Sequence, residues 1–217
     1  MKNHKIIILL LFGTLIGRAQ KSVLQENKWS MEKAQEWYKR HNWITGANFN
    51  PSTAINQLEM WQKDTFDPET INRELGFAEG IGFNTMRVYL HSLAYKTDPE
   101  GLKKRMDTYL GIADKHGIKT MFVFFDDVWG KLPKAGKQPE PKPGVHNSGW
   151  MQDPGDPAHK DETCFPALEI YVKDILKTFA NDQRILMWDL YNEPGNSGKL
   201  TTSMPLLKKV FEWGREV

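Results

Sequence analysis

The sequence of 217 residues contains a single cysteine, Cys164, and has no marked excess of charge of either sign. One cysteine cannot form a disulfide within the chain, and it provides no cysteine-rich zinc site. A formal net charge of +2, from 29 basic and 27 acidic residues, gives no reason to expect a nucleic-acid partner. The hydrophobic share of 40% and the eight tryptophans are instead typical of a folded globular protein.

A basic and apolar stretch begins the chain. Lys2 and Lys5 precede an apolar run over residues 6–16, and the small residues Gly17 and Ala19 follow it. This order predicts a signal peptide over residues 1–19. The run is shorter than the roughly 17–25 residues that span a bilayer. We therefore expect a secreted or periplasmic protein without a membrane partner, whose residues 20–217 form one domain.

The rest of the chain alternates between strand patterns and helix patterns. Four strands, each followed by a helix, are predicted at Trp43–Asn48, Thr85–Leu90, Lys119–Phe125 and Ile185–Leu190. Parallel strands need helical crossovers, so this alternation predicts an α/β fold built on a parallel sheet. Residues 48–52, which follow the first strand, do not form the glycine-rich loop that binds nucleotide phosphates. A dinucleotide-binding fold is therefore not expected.

One long segment lacks any periodic pattern. It runs from Asp126 to about Lys160 and holds six of the twelve prolines. Loops of this length inside a compact domain are usually functional or disordered. Trp129 and Trp150 lie within it, and these large aromatic residues favour an ordered loop that makes contacts.

The most informative motif lies at the end of the fourth predicted strand. It reads Trp188-Asp-Leu-Tyr-Asn-Glu-Pro194, and Pro194 ends the strand because proline cannot donate to the ladder. In α/β barrels the carboxyl ends of the strands form the ligand-binding face. Glu193 is therefore expected, partly buried, at the rim of a cleft, where it would suit general acid catalysis. Asn192 beside it offers an amide for a sugar hydroxyl.

This arrangement resembles glycoside hydrolase clan A, and most closely the family-5-like cellulases and related endo-β-glycanases. The resemblance implies a (β/α)8 TIM barrel, of which this chain would supply the N-terminal half, about four βα units. It also implies that Glu193 is the catalytic acid/base and that Asn192 contacts the substrate 2-hydroxyl. The family's bracing arginine maps onto Arg87, and the Gly-x-Asn element that ends the first strand matches Gly46-Ala-Asn48. A β-linked glycan is the implied partner, and no cofactor is implied.

The chain departs from the family pattern in two places. Residues 124–127, at the end of the third strand, include no histidine. The family's nucleophile, a glutamate that ends the seventh strand, is expected beyond residue 217. Because a retaining mechanism needs two carboxyl groups, we expect the chain alone to be an inactive fragment of a retaining hydrolase. Asp126 or Asp127 is the alternative nucleophile within the chain, and Asp189 is expected to be a structural partner of Arg87 or of a neighbouring group.

Several further residues are candidates for substrate contact. Asp126 is placed to line the sugar cleft, and His91, just past the second strand, is placed to touch substrate. Trp129 and Trp150 are candidates for stacking on a pyranose ring. The remaining histidines show no spacing typical of a metal site, so no metal is expected. A core position is predicted for the tryptophans on helix or strand patterns, namely Trp37, Trp43, Trp188 and Trp213.

Two alternative functions remain open at the level of sequence. A noncatalytic carbohydrate-binding protein could keep the cleft and lack the chemistry. A metal-dependent hydrolase could use Asp126, Asp127 and His91 as ligands. The identity of the glycan, the choice between endo and exo action, and the oligomeric state do not follow from the sequence.

Overall fold

A computed structural model describes residues 29–156, 161–198 and 200–217. The predicted signal peptide over residues 1–19 lies outside the described residues. Within the described ranges, no helix is both long enough and apolar enough to cross a membrane. The chain divides into two compact units, one ending at Trp43 and the other beginning at Ile44.

The first unit contains one described helix, α1, over Met31–Lys39. Ser30 caps it, because the Ser30 side chain accepts a hydrogen bond from the Lys33 amide at 3.2 Å. Trp43 is 76% exposed, so the predicted core position of this residue is wrong. The first strand begins only at Gly46, which leaves Trp43 outside the pattern that predicted its burial.

The second unit alternates strands and helices in chain order. Its four strands are β1 (Gly46–Asn48), β2 (Thr85–Tyr89), β3 (Lys119–Asp126) and β4 (Ile185–Asn192). Its helices are α2 (Gln57–Trp61), α3 (Pro68–Gly80), α4 (Ser92–Thr97), α5 (Pro99–Lys115), α6 (Phe165–Thr178) and α7 (Leu200–Arg215). Short 3₁₀ helices cover Glu162–Cys164 and Asn196–Gly198.

All neighbouring strand pairs are parallel, and the strand order is β1-β2-β3-β4. Each new strand is therefore added on the same side of the last. This winding is that of a (β/α)8 barrel, whereas a doubly wound sheet reverses direction at a switch point. Among the described residues the sheet stays open, since β1 pairs only with β2 and β4 only with β3. The predicted α/β fold with four βα units is confirmed.

One face of the sheet is covered by helices. Phe122 of β3 lies 6.2 Å from the ring of Trp61 in α2 and 6.1 Å from that of Tyr109 in α5. Phe124, two residues on, packs on Tyr171 of α6 with ring centroids 5.3 Å apart. Alternate residues of a strand share a face, so these apolar strand residues pack against the apolar residues of the helices. The opposite side carries the residues that alternate with the apolar residues of β2 and β4, among them Arg87, Tyr89 and Asp189.

Helix starts follow the sequence signals at most positions. Asp67 and Asp98 cap α3 and α5, and each accepts a hydrogen bond at 3.0 Å from the amide three residues later. Helix α7 runs from Leu200 to Arg215 and continues past Pro205, which lies inside it.

The long loop after β3 is ordered over its described residues, 127–156. Asp126 and Asp153 form an antiparallel bridge, with their amide-to-carbonyl contacts at 2.7 and 3.1 Å. The Gln57 side chain donates to the Met151 carbonyl at 2.6 Å, and Asn56 donates to the Gly149 carbonyl at 2.8 Å. The loop is thereby fixed against the end of β3 and against the segment that follows β1. The expectation of an ordered, contact-making loop is confirmed.

Candidate active site

The carboxyl ends of the strands bring four predicted residues into one hydrogen-bonded network. Arg87 lies at its centre and donates to the Asn192 side-chain oxygen at 2.9 Å and to that of Asn48 at 3.3 Å. The Asn192 side-chain nitrogen in turn donates to Asp126 Oδ1 at 3.0 Å. Both ends of the Asn192 amide are thereby held, which fixes its orientation. One N–H of this amide is left over to donate to a ligand.

Asp189 is the ionic partner of Arg87, as predicted. Arg87 Nε donates to Asp189 Oδ2 at 3.1 Å, and the two side chains are 21% and 25% exposed. The same Asp189 oxygen also receives Arg87 Nη2, so two donors of the guanidinium converge on one carboxylate oxygen. This pairing holds the guanidinium in the position from which it reaches Asn192.

Asp126 is buried at the end of β3. Its Oδ1 accepts from the Val128 amide at 2.9 Å as well as from Asn192. Burial raises the pKa of Asp126 to about 6, and the nearby charge of Glu193 adds to that increase. The bonds from Asn192 and Val128 and the nearby Trp129 indole lower the pKa and offset part of the effect. Because Asp126 is 1% exposed, it acts in this structure through Asn192 and not as a wall of an open cleft.

Glu193 follows directly after β4 and is exposed. Its φ of 45° lies in the left-handed region, which is strained for a residue with a side chain. Asn196 donates to Glu193 Oε2 at 2.6 Å and also binds the Glu193 carbonyl through its own amide at 3.0 Å. The predicted position at the carboxyl end of the strand is thus found, but the expected partial burial is not.

Asp127 holds the turn that carries Glu193. Its carboxylate accepts from the Gly195 amide at 2.6 Å and from the Tyr191 hydroxyl at 2.9 Å, and the Ser203 hydroxyl binds it too. Asp127 is 0% exposed. A buried carboxylate with these donors cannot reach a substrate carbon. The alternative assignment of Asp127 as a nucleophile is therefore not supported. Asp126 is not supported either, because it is 1% exposed.

His91 is 0% exposed, so the predicted contact between His91 and substrate is wrong. Its Nδ1 accepts from the Leu93 amide at 3.1 Å and caps α4, while its Nε2 lies 3.1 Å from the Gln152 carbonyl. Burial lowers the pKa of His91 to about 3, which keeps the ring neutral. His91 therefore fastens the long loop to the end of β2.

Asp153 and Ser92 make a second fastening between the same two segments. The Ser92 amide donates to Asp153 Oδ2 at 2.7 Å, and the Ser92 hydroxyl also binds this carboxyl group. Burial raises the pKa of Asp153 to about 8, and the two Ser92 bonds only partly oppose it. These residues were not predicted, because 61 positions separate them in the chain and no local pattern links them.

Trp129 and Trp150 lie together, as two half-buried rings with centroids 5.4 Å apart. Trp150 also packs edge-on against Tyr89, with ring centroids 5.6 Å apart. The Tyr89 hydroxyl accepts from Arg87, and the guanidinium lies 4.8 Å from the Tyr89 ring centre. Tyr89 was missed at the sequence level, although its spacing of two from Arg87 places it on the same face of β2. It joins the loop tryptophans to the network.

No group of three or more His, Cys, Asp or Glu side chains is arranged to hold a metal ion within the described ranges. Asp126, Asp127 and His91 each accept hydrogen bonds from the protein itself, and all three side chains are buried. A metal-dependent hydrolase built on these three residues is therefore not favoured.

No family model matches this sequence, and no curated protein matches it. Solved structures do. A β-mannanase of the blue mussel Mytilus edulis matches at 18% identity and a TM-score of 0.47, covering 79% of this chain and 49% of that one. A GH5_18 protein of Streptomyces cattleya, solved with GlcNAc, matches at 12% identity and a TM-score of 0.47, over 79% and 42% of the two chains.

An endo-β-1,4-mannanase of Thermotoga petrophila matches at 14% identity and a TM-score of 0.46, over 79% of this chain and 40% of that one. The chain thus spans less than half the length of each of these three proteins. Two of the three are β-mannanases and the third is a GH5_18 protein. With TM-scores below 0.5, a function for this chain has to rest on its own site.

Proposed function

We propose that this chain carries the acid/base part of a glycoside hydrolase that cleaves β-linked glycans with retention. The observation behind this proposal is the Asn192 amide, which Arg87 and Asp126 hold from both ends directly beside Glu193. Such an orientation has no evident use in a purely structural turn. It suits a group that must meet a sugar hydroxyl in one geometry while the neighbouring carboxyl group transfers a proton.

On this proposal Glu193 acts twice. It first protonates the leaving glycosidic oxygen and then, as a carboxylate, removes a proton from the water that completes hydrolysis. Asn192 donates its remaining N–H to the sugar hydroxyl next to the reacting carbon. Arg87 and Asp126 are positioning residues, because they act through Asn192. The substrate class is a polysaccharide or oligosaccharide, and no cofactor takes part in either step.

The attacking carboxylate is proposed to come from outside the described residues. Retaining enzymes place two carboxyl groups roughly 5–5.5 Å apart. Beside Glu193, the described chain offers Asp126 and Asp127, which are buried, and Asp189, which is paired with Arg87. None of them is free to attack a sugar. We therefore propose that the chain by itself turns over no substrate and that the full-length protein supplies the nucleophile.

Residues 1–19 are proposed to direct the protein out of the cytoplasm, to the periplasm or the medium. N-terminal sequencing of exported protein should give a chain that begins near Gln20. Exported material that still begins at Met1 would contradict this part of the proposal.

The test of the acid/base role is Glu193→Gln in the full-length protein. Glycans with poor leaving groups should lose about 10²–10⁴-fold in rate, whereas activated aryl β-glycosides, which need no protonation to leave, should lose far less. Azide should partly restore the variant on activated substrates, because it replaces base-assisted water. An equal loss for every leaving group, with no rescue by azide, would show that Glu193 is not the acid/base.

The role of Asn192 has its own test. Asn192→Ala should lower the rate on substrates that carry the 2-hydroxyl and should change the rate on 2-deoxy analogues much less. Asn196→Ala is the matched control, since this amide contacts Glu193 but is not held by Arg87. An equal loss on both substrates would contradict the assigned hydrogen bond.

A noncatalytic carbohydrate-binding protein is the second candidate. It is favoured by the exposure of Glu193 and by the lack of a free second carboxylate beside it in the described chain. This alternative would be established if the full-length protein binds glycans but cleaves none of them, and if Glu193→Gln binds them with the same affinity as the wild type.

A further inference from the structure

A cavity of about 580 Å³ lies between the segment after β1 and the long loop. Its lining includes Thr53 and Glu59 on one side and Lys137, Glu140, Asn147 and Trp150 on the other. The volume falls within the range typical of small-molecule sites. Both segments follow the carboxyl ends of strands, so the cavity lies at the same end of the sheet as Glu193.

The frame of this cavity is fixed by internal hydrogen bonds. Gln138, which is 6% exposed, donates to the carbonyls of Lys134 and Gly136 at 3.0 and 2.7 Å. It also accepts from the Asn56 side chain at 2.9 Å. A pocket whose walls are already held loses little entropy when a ligand binds. The geometry is therefore that of a preformed site.

Other lining groups are not used in holding the frame. Lys137 and Glu140 are exposed, and within the described residues their side chains make no hydrogen bond or ion pair. The charged groups of the lining are Glu59, Lys137, Glu140 and Lys142, two of each sign. Their charges cancel, which favours a neutral, hydroxyl-rich ligand over an anionic one. The lining thus combines polar groups with one large aromatic ring.

Trp150 connects this cavity to the candidate active site. It lines the cavity and also packs against Tyr89 with ring centroids 5.6 Å apart. Tyr89 binds Arg87, which in turn orients Asn192. A single aromatic side chain therefore separates the cavity from the network beside Glu193. A ligand that passes from the cavity over Trp150 meets Tyr89, the aromatic member of this network.

We propose that this cavity, which we call the loop pocket, is a distal subsite that binds a neutral sugar unit of the same glycan chain. Trp150 forms the aromatic wall nearest the active site, and Lys137 and Glu140 bind the hydroxyl groups. This inference rests on the proposed function. It adds that the protein acts on extended chains of neutral sugars, because a chain must be long enough to occupy both the loop pocket and the site at Glu193.

The experiment uses the full-length protein and β-1,4-linked manno-, cello- and xylo-oligosaccharides of increasing length. The double variant Lys137→Ala/Glu140→Ala should lower kcat/KM by about 10-fold on the longer members of the preferred series, through KM. It should leave aryl monoglycosides and disaccharides unchanged, since these do not reach the loop pocket. Lys134→Ala, an exposed charge on the same loop outside the pocket, is the matched control and should change none of these rates.

The other outcomes would overturn the loop pocket, its neutral ligand, or the proposed function. Equal effects of the double variant on short and long substrates, or no effect on any, would overturn the loop pocket while leaving a Glu193-dependent hydrolase in place. Tighter binding of uronate-bearing oligosaccharides than of neutral ones would overturn the choice of a neutral sugar. If no oligosaccharide is bound or cleaved by the full-length protein, both the loop pocket and the proposed function fail.

Discussion

The two faces of the sheet differ sharply in chemistry, although the same strands build both. On the helix-covered face, Phe122 and Phe124 pack against Trp188 of β4 with ring centroids 5.6 and 5.4 Å apart. On the other face, Arg87 and Asp189 form a partly exposed ion pair. Successive residues of a strand point to opposite sides, so neighbours in sequence serve opposite purposes. The first face holds the fold together, and the second orients the candidate catalytic residues.

The largest effect is expected on the helix-covered face. Phe122→Ala should lower the free energy of unfolding by about 3–5 kcal/mol, because it leaves a cavity among Trp61, Tyr109 and Trp188. Phe77→Ala removes a ring that is 65% exposed and should change stability by no more than about 0.5 kcal/mol. Urea denaturation of the full-length protein measures both. Similar losses for the two variants would show that the helix-covered face does not dominate stability.

On the polar face, by contrast, a substitution should lower turnover strongly and stability only slightly. Arg87→Met removes the donor that orients Asn192 and should lower turnover by about 10²-fold. The ion pair with Asp189 is partly exposed, so the loss of stability should be only about 1 kcal/mol. Arg87→Lys should not restore turnover, since one ammonium group cannot reproduce the planar set of donors. Intact turnover together with a melting temperature as low as that of Phe122→Ala would reverse the assignment of the two faces.

A smaller effect, visible through its pH dependence, is expected where the long loop is fastened to the sheet. The pKa of buried Asp153 is raised from 3.8 to about 8, so the folded protein holds its proton after the unfolded chain has lost it. Stability from this group is therefore complete below about pH 4 and is lost as the pH rises towards about 8.

Asp153→Asn keeps the shape and removes the titration, so its melting temperature should rise relative to wild type by a few degrees between pH 4.5 and pH 8. Thermal melts across this range provide the measurement, with Asp64→Asn, which replaces an exposed carboxyl group, as the control. A constant difference between Asp153→Asn and wild type at every pH would contradict the raised pKa.

Much of this comparison was readable from the sequence. The strand and helix order and the parallel sheet follow from local patterns, whereas the candidate roles of Arg87, Asn192 and Asn48 were predicted from the resemblance to glycoside hydrolases. Two kinds of signal act over only a few residues: the alternation along a strand, and the helix-start signals at Asp67 and Asp98. Such short-range signals can be recognised in the sequence without a structure. The pairing of Arg87 with Asp189 was also predicted, because Asp189 has the same strand parity as Glu193 but lies deeper in the strand.

The burial of particular side chains was not readable in the same way. His91 and Asp126 were expected to face a substrate, yet the long loop returns over both of them at residues 152 and 153. Where a loop of this length folds back depends on contacts such as Ser92 with Asp153, which no short-range pattern encodes. The exposure of Glu193 was missed for a related reason, since it depends on a left-handed turn held by Asp127.

The smallest effect is expected at the outer edge of the polar face. Asn48 is exposed and meets Arg87 at 3.3 Å, the longest of the hydrogen bonds that this arginine makes. Arg87 keeps Asp189, Asn192 and Tyr89 as acceptors when Asn48 is removed, so its orientation should survive. Asn48→Ala should therefore change stability by no more than about 0.5 kcal/mol and should raise KM by no more than about fivefold. Steady-state kinetics of Asn48→Ala, Tyr89→Phe and the double variant test this ranking. If Asn48→Ala alone lowers kcat as strongly as Arg87→Met does, Asn48 contacts the reacting sugar directly and belongs beside Asn192, not at the edge.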